Sequence, residues 1–451
     1  MLNVLWRRRR IARPSPAPGG SRRALRWLLA LTGALFLLMS ALLLWAWFML
    51  RAAPGEWSAP VRIGPWIVQT SVPTLFRVGT HPLTLKVLTH WAQDRSLHTR
   101  WGQLRWQGAA DNTSWQLQCE PCVLRVPALG PQPLTLQSVQ FTVRRQGQNQ
   151  VHGELVVKPA TAALGPASAP VAGRWTLQMN NIQADLTLAL AATGLHDVVG
   201  LWAAQLPEWP RAQIQGRMTL DVAWQFPRNT GRITPVLQGF EVAGLGTEAL
   251  RTAETTCPGA IPAQGWGPWL PRAVLAAEDQ RFMEHNGLDL TALQNAWSAN
   301  QGDSAGLHGG STLSQQLAKM IYTGDERHAQ RKLRELLYAV ELDRTLGKAR
   351  VLDLYLAMAP WGQGQCGAVA AAKHYFKKPV QRLTPTEAAW LASLLHGPAI
   401  ELARWAALDP QRTERTAWVL QHMRPLPVKQ RAALVSELPT WHGPKWITPA
   451  P

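Results

Sequence analysis

The chain has 451 residues, a formal net charge of +18 and only 16% charged side chains. An apolar content of 46% excludes a largely disordered protein, 35 Gly and 34 Pro are too few for a collagen-like repeat, and four cysteines are too few for a disulfide-stapled small fold. At roughly 150 residues per domain the length allows about three units.

The charge is unevenly placed. Residues 1–26 hold eight arginines and no acid, residues 51–240 hold 16 basic against 9 acidic side chains, and residues 241–451 hold 22 against 19. Strong basicity invites a nucleic-acid partner, but a short basic arm ahead of a nearly balanced C-terminal half does not make a basic domain. Nucleic acid is therefore not expected as a partner.

The arm, Arg7, Arg8, Arg9, Arg10, Arg13, Arg22, Arg23 and Arg26, precedes a charge-free run from Trp27 to Leu50 that Arg51 closes. As a helix the run spans roughly 36 Å, enough to cross a ~30 Å hydrocarbon layer. Trp27, Trp45 and Trp47 lie near its ends, where indole rings favour the membrane interface. An arginine-rich flank stays in the cytoplasm, so residues 1–26 read as a cytoplasmic arm and 27–50 as a transmembrane helix. The chain is then a single-pass protein of the cytoplasmic (inner) membrane with residues 51–451 in the periplasm. A cleaved signal peptide is the competing reading, although its apolar core usually runs only ~7–15 residues.

Residues 52–240 alternate with period two. Ile214, Met218, Leu220, Val222 and Trp224 share one parity, and Gln213, Gln215, Arg217, Thr219 and Asp221 the other. Val139, Phe141 and Val143 alternate with Gln140, Thr142 and Arg144, and Trp175, Leu177 and Met179 with Thr176 and Gln178. Strands with one buried face read this way. Joints near Pro159–Pro170 and Pro227–Pro235 punctuate them, and Gly-Arg-x-Thr-Leu recurs at 173–177 and 216–220 as the hint of a repeated hairpin. The expectation is an antiparallel β-rich periplasmic module, similar to the repeated-strand proteins of the bacterial envelope. Cys119 and Cys122 form a C-x-x-C that could serve as a zinc half-site, a redox pair or a local disulfide. No second C-x-x-C follows, and an oxidising compartment favours the disulfide. Whether Cys257 pairs with Cys366 stays open.

From Pro271 the period turns helical, with Ala273, Val274, Leu275 and Ala276 behind a proline suited to a first helical turn. Two polar stretches with glycine turns follow, Glu278-Asp279-x-x-Phe282-x-x-His285-x-Gly287 and Gly309-Gly310-Ser311-Thr312-x-x-Gln315-Gln316-x-x-Lys319. Neither reads as core. An amphipathic helix is predicted over about 327–346, with Leu333, Leu336, Leu337, Val340 and Leu342 toward its buried side and Gly347 as its stop. Arg327, Arg331 and Glu335 recur at i, i+4 and i+8 and so share a face, with Lys332 and Arg334 beside them. Taken alone, such a stripe is an ordinary solvated charged face.

The set changes that weighting. The two polar stretches, then Arg331-Lys332-x-x-Glu335, then Lys348-x-x-x-Leu352-Asp353-x-Tyr355-Leu356 occur in order within about 80 residues. Together they resemble the peptidoglycan glycosyltransferase domain (glycosyltransferase family 51) of monofunctional transglycosylases and class A penicillin-binding proteins. The resemblance covers roughly 255–425 and continues through Gly362-Gln363-Gly364, Gly367, Tyr375-Phe376 and Thr384-Pro385-Thr386-Glu387-Ala388-Ala389, which is also a capping box. It leaves 426–451 as a C-terminal tail. No Ser-x-x-Lys or Lys-Thr-Gly set follows residue 425, so a second, transpeptidase activity is not expected.

The resemblance implies a mainly α-helical, lysozyme-like domain that polymerises lipid II into glycan strands and releases undecaprenyl pyrophosphate with inversion at the sugar carbon. Its partners would be lipid II, the growing glycan strand and the membrane, with cell-wall synthesis proteins as candidates for residues 52–240. By resemblance Glu278 matches the general base that deprotonates the acceptor 4-hydroxyl, and Glu335 a second glutamate supporting the donor side. Lys319, Arg327, Arg331 and Lys332 match cations near the donor phosphates, and Asp279, Phe282, His285, Ser311, Thr312, Gln315 and Gln316 match positions that shape the cleft. The resemblance allows a divalent cation, Mg or Mn, at the pyrophosphate, although no metal-ligand spacing in the sequence demands one. Met320 and Ala357 stand where the family usually has asparagine, and Asp353 where it usually has glutamate. These departures, with the long 52–240 insertion, leave room for an impaired member acting as a cell-wall-assembly scaffold. A lysozyme-like hydrolase is a third reading, since a carboxylate in a sugar cleft also serves as a general acid.

Overall fold

The computed structural model describes residues 20–63, 66–92, 95–108, 114–125, 133–160, 168–203, 206–253, 257, 261–300, 309–324 and 329–444, in two compact units. The smaller unit comprises the described residues up to 80 together with 180–182. It begins with helix α1 (Gly20–Leu50), whose apolar stretch Trp27–Leu50 has the length and composition of a membrane span. A signal sequence passes the same test. A hairpin of β1 (Ser58–Ile63) and β2 (Trp66–Ser71) follows and runs into α2 (Val72–Gly79). Ser71 caps α2 by accepting the Thr74 amide at 3.1 Å while its own hydroxyl donates to Glu56 at 2.7 Å, and Pro73 fits the first turn.

The larger unit opens with α3 (Pro82–Ala92) and then builds one nine-stranded antiparallel sheet from β3 (Ser96–Thr99), β4 (Gly102–Gly108), β5 (Ser114–Leu124), β6 (Leu134–Arg145), β7 (Gln150–Pro159), β8 (Val171–Met179), β9 (Ala184–Gly194), β10 (Gln213–Phe226) and β11 (Thr230–Ala243). Every strand pairs with its sequence neighbour. Helix α4 (Leu195–Ala203) interrupts the meander between β9 and β10.

The alternation predicted from sequence fixes which side chains share a face. Trp106, Leu117, Phe141 and Leu155 stand opposite one another across β4 to β7, and Trp175, Leu188, Val222 and Ile233 across β8 to β11. The other parity places Gln107, Gln116 and Thr142 in register. Trp106 stacks on Trp115 at 4.4 Å and Phe141 on Trp175 at 4.6 Å, cross-strand contacts that help pin register. The two Gly-Arg-x-Thr-Leu copies lie on β8 and β10, on either side of β9. Cys119 and Cys122 are joined as a local disulfide within β5, and β11 runs to Ala243, a little past the expected end of the strand-rich stretch.

The chain then becomes helical: α5 (Leu270–Glu278), α6 (Leu290–Asn300), α7 (Leu313–Ala318), a π-helical turn Lys319–Thr323, α8 (Ala329–Met358), α9 (Ala368–Phe376), α10 (Pro385–Leu394), α11 (Pro398–Ala406), α12 (Glu414–His422) and α13 (Val428–Glu437). Leu270, Leu313, Leu317, Leu337, Leu354, Trp361 and Trp390 are fully enclosed, and burying each leucine contributes about 2 kcal/mol. The same core takes in Ile214, Val242 and Leu245, so the end of the sheet and the helices share one apolar interior.

Helix α8 departs from its prediction at its C-terminal end. Gly347, at φ 73°, does break it as expected, but the chain re-enters a helix at once and continues to Met358. The apolar residues Val351, Leu354 and Leu356 bury the continuation, so packing restores what the glycine interrupts. Cys257 is disulfide-bonded to Cys366, a pairing that the sequence left open.

Candidate active site

A cleft of about 1000 Å³ opens among α5, α7, the π turn, α8 and α12. Helix α5 ends at Glu278 because Asp279 leaves the helical region, and this delivers the glutamate to the cleft wall. Its side chain is 11% exposed. Gln316 on α7 donates to Glu278 Oε2 at 2.9 Å, and Arg415 on α12 brings Nη2 to 3.6 Å from Oε1. Oε1 accepts no hydrogen bond among the described residues. Burial raises the Glu278 pKa above the ordinary carboxylate range, with the neighbouring Asp279 adding to the rise. The Gln316 hydrogen bond and the Arg415 charge pull the other way. Tyr355 donates to Gln316 Oε1 at 2.8 Å, so the amide that serves Glu278 has its orientation fixed from behind.

Asp279 faces inward. Both its oxygens bond His285 Nε2, at 3.0 and 3.1 Å, and Oδ2 accepts the Leu313 amide at 3.0 Å, which joins the end of α5 to the start of α7. Thr312 caps α7 in a reciprocal box with Gln315 and donates to the Gly287 carbonyl at 2.7 Å. Gly287, at φ 83°, lies so close to α8 that a Cβ there would come within 2.5 Å of the Ala339 carbonyl.

The other wall carries the cations. Glu335 is 2% exposed and bonded by Arg331, by Lys332 at 3.0 Å and by the Thr323 hydroxyl at 3.5 Å. Lys332 also donates to Ser311 at 2.6 Å. Its pKa falls to about 8, first through burial and then through the like charges of Arg331 and Lys319. Lys319 reaches the same cleft from the π turn. Among the described residues no group of three or more His, Cys, Asp or Glu side chains is arranged to hold a metal ion. The carboxylate nearest the cations, Glu335, is engaged on both oxygens.

Of the residues singled out from sequence, Glu278, Asp279, Ser311, Gln315, Gln316, Lys319, Arg331, Lys332 and Glu335 line one cleft. Phe282, His285 and Thr312 do not line it. Phe282 is fully buried with Lys348 over its ring at 4.2 Å, while His285 and Thr312 hold the cleft's supporting turns. Arg327 lies outside the described residues. Sequence reading missed Arg415, which also donates to the Ala277 carbonyl at 2.8 Å and lies over Trp418, and it gave Tyr355 no role. Of the departures from the family pattern, Asp353 accepts the Trp266 indole N–H at 2.7 Å, Ala357 is buried and Met320 faces the cleft.

Residues 249–424 match the family model described as Transglycosylase. The chain is also similar to curated proteins named biosynthetic peptidoglycan transglycosylase. That of Nitrosomonas eutropha is 46% identical over 129 residues, 29% of this chain and 53% of the relative. That of Klebsiella oxytoca is 42% identical over 161 residues, 35% of this chain and 65% of the relative. That of Ralstonia nicotianae is 45% identical over 129 residues, 29% of this chain and 55% of the relative. The chain thus spans between half and two-thirds of the length of these relatives, and the matched residues lie in its helical, C-terminal part. Residues 249–424 are a transglycosylase-family domain, the family that the four ordered motifs resemble.

Proposed function

We propose that this chain is a membrane-anchored peptidoglycan glycosyltransferase that joins lipid II units into glycan strands. Glu278 is the general base. It takes the proton from the 4-hydroxyl of the acceptor sugar as that oxygen attacks the donor's anomeric carbon, and the donor's bond to undecaprenyl pyrophosphate breaks with inversion. Lys319, Arg331 and Lys332 face the leaving pyrophosphate and stabilise the charge it gains, which is where preorganised cations contribute most. Glu335 holds two of those cations in place.

The observation that carries the reading is the Glu278 carboxylate. It lines the cleft, is raised in pKa and is hydrogen-bonded on one oxygen, while the other accepts no hydrogen bond among the described residues and has the Arg415 cation at 3.6 Å. A base needs a free lone pair in reach of the proton and a pKa lifted toward the working pH. The cations across the same cleft suit a pyrophosphate donor rather than the neutral glycan that a hydrolase would cut. Helix α1 supports the anchor by length and composition, with the arginine arm setting its orientation.

The experiment is polymerisation of labelled lipid II by the full chain in lipid vesicles. The wild type is expected to make glycan strands, and Glu278→Gln to lose activity by about 10³-fold. Unchanged output from Glu278→Gln would remove the assignment of the base. Release of soluble fragments from finished peptidoglycan, with no polymer made, would replace the reaction with hydrolysis.

A further inference from the structure

Helix α8 carries two stripes. Arg331, Lys332 and Glu335 face the cleft, whereas Arg334, Tyr338, Glu341 and Thr345 recur at i, i+4, i+7 and i+11 about a quarter-turn away. The second stripe is held by the end of the sheet. Glu208, 2% exposed in the turn before β10, accepts both Nε and Nη2 of Arg334, at 2.9 and 2.6 Å, and the Tyr338 hydroxyl at 3.3 Å. Arg211 of the same turn donates to that hydroxyl at 3.2 Å. Just beyond β11 the Leu245 amide donates to both oxygens of Glu341, at 3.1 and 2.8 Å, and Thr247 bonds Thr345 at 2.8 Å.

The linkage reaches both sources of cleft cations. Tyr338 stacks on Tyr322 at 4.0 Å with the rings 4° from parallel, and Tyr322 lies in the π turn that begins with Lys319. Thr323 of that turn donates to Glu335. Arg334 is the immediate neighbour of Glu335, so the fork onto Glu208 fixes the turn that also presents Arg331 and Lys332. A buried ion pair is weak evidence for net stability but a strict constraint on geometry. The family match begins at residue 249, so Glu208 lies outside it.

We propose that Glu208 is a positioning residue for the cleft: through Arg334 and Tyr338 it fixes the turn of α8 carrying Arg331, Lys332 and Glu335, so that the sheet sets the geometry of the donor side. The catalytic consequence rests on the reading of the cleft given above, whereas the mechanical linkage does not.

The test uses the full chain in vesicles with lipid II, at a temperature where circular dichroism shows each variant folded. Glu208→Ala and Arg334→Ala are each expected to lower kcat about tenfold with KM changed less than about twofold, because leaving-group stabilisation is realised in the transition state. The double variant should lose no more than the worse single. Glu208→Gln, which keeps an acceptor oxygen, should recover part of the loss. A lowered Tm with kcat of the folded protein unchanged would reduce Glu208 to a merely structural residue and overturn the proposal. Amide hydrogen exchange, read without substrate, should quicken at least about fivefold over residues 333–338 in Glu208→Ala, and unchanged exchange there would also overturn it. Should the wild type make no glycan while exchange responds as expected, the functional reading falls and the positioning role stands.

Discussion

Glu278 and Glu335 line the same cleft and are both nearly buried, but the fold surrounds them in opposite ways. Glu335 is saturated, with Arg331, Lys332 and Thr323 on its two oxygens. Glu278 receives one amide hydrogen bond, a cation at 3.6 Å and a neighbouring acid, and one oxygen is left without a donor. One residue type has two roles because its surroundings differ. In the proposed reaction the saturated carboxylate orders cations, and the under-satisfied one, with its raised pKa, takes the proton. A site that leaves a buried carboxylate under-satisfied gives up stability for chemistry.

The contrast breaks most visibly in stability. A carboxyl whose folded pKa is raised costs the folded state at every pH above the ordinary carboxylate range, and the cost fades as pH falls through the raised value. Glu278→Gln removes that cost, so at pH 7 it should raise stability by about 1 kcal/mol even as activity collapses. Glu335→Gln does the reverse. It takes from Lys332 and from Arg331, which is 15% exposed, the buried carboxylate that both contact, and stability should fall by about 1–3 kcal/mol. Denaturant titrations of the two variants measure both signs, and shifts in the same direction would erase the distinction between the two carboxylates.

A smaller effect sharpens the Glu278 half. Gln316 and Arg415 favour its ionised form against burial, so deleting either should lift its pKa further. The acid limb of kcat/KM should already lie above the ~4.3 of an unperturbed glutamate. In Arg415→Ala it should move to still higher pH, with a severalfold loss of rate at pH 6 that shrinks by pH 8. Arg415→Lys should move it less. A rate loss independent of pH would mean that Arg415 acts only as a packing residue between α5 and α12.

How much of this could be read in the chain depends on how far apart partners lie. The sheet was legible because period two is a local signal, and β10 keeps Ile214, Val222 and Trp224 on one face as the parity requires. The cleft was legible as a set of motifs, but motif membership does not separate residues that line it from residues that support it. His285 and Thr312 look as reactive on paper as Glu278, yet they do not line the cleft, and their polar groups hold the turn between α5 and α7, whereas Asp279 both lines the cleft and joins those helices. Tyr355 belonged to the fourth motif, but nothing in the sequence marked its hydroxyl, since Gln316 is 39 residues away. Arg415 meets the end of α5 across 138 residues, and Arg334 meets Glu208 across 126. Contacts of that span arise from packing alone and leave no periodic trace.

The smallest effect concerns the alkaline side. Burial and the charges of Arg331 and Lys319 bring Lys332 down to about 8, so its ammonium is lost as pH rises through that value. If Lys332 helps carry the leaving pyrophosphate, kcat should decline as pH rises through about 8, while the acid limb still reports Glu278. Lys332→Arg keeps a positive charge to far higher pH, because a guanidinium does not titrate there. Its longer fork also disturbs the bonds to Ser311 and Glu335, so activity at pH 7 should drop about two- to fivefold. The informative reading is therefore the shape of the profile rather than its height. Disappearance of the alkaline limb in Lys332→Arg, with the acid limb unmoved, would place the two titrations on opposite walls of the cleft. An alkaline limb that persists would belong to another group and would detach Lys332 from the donor side.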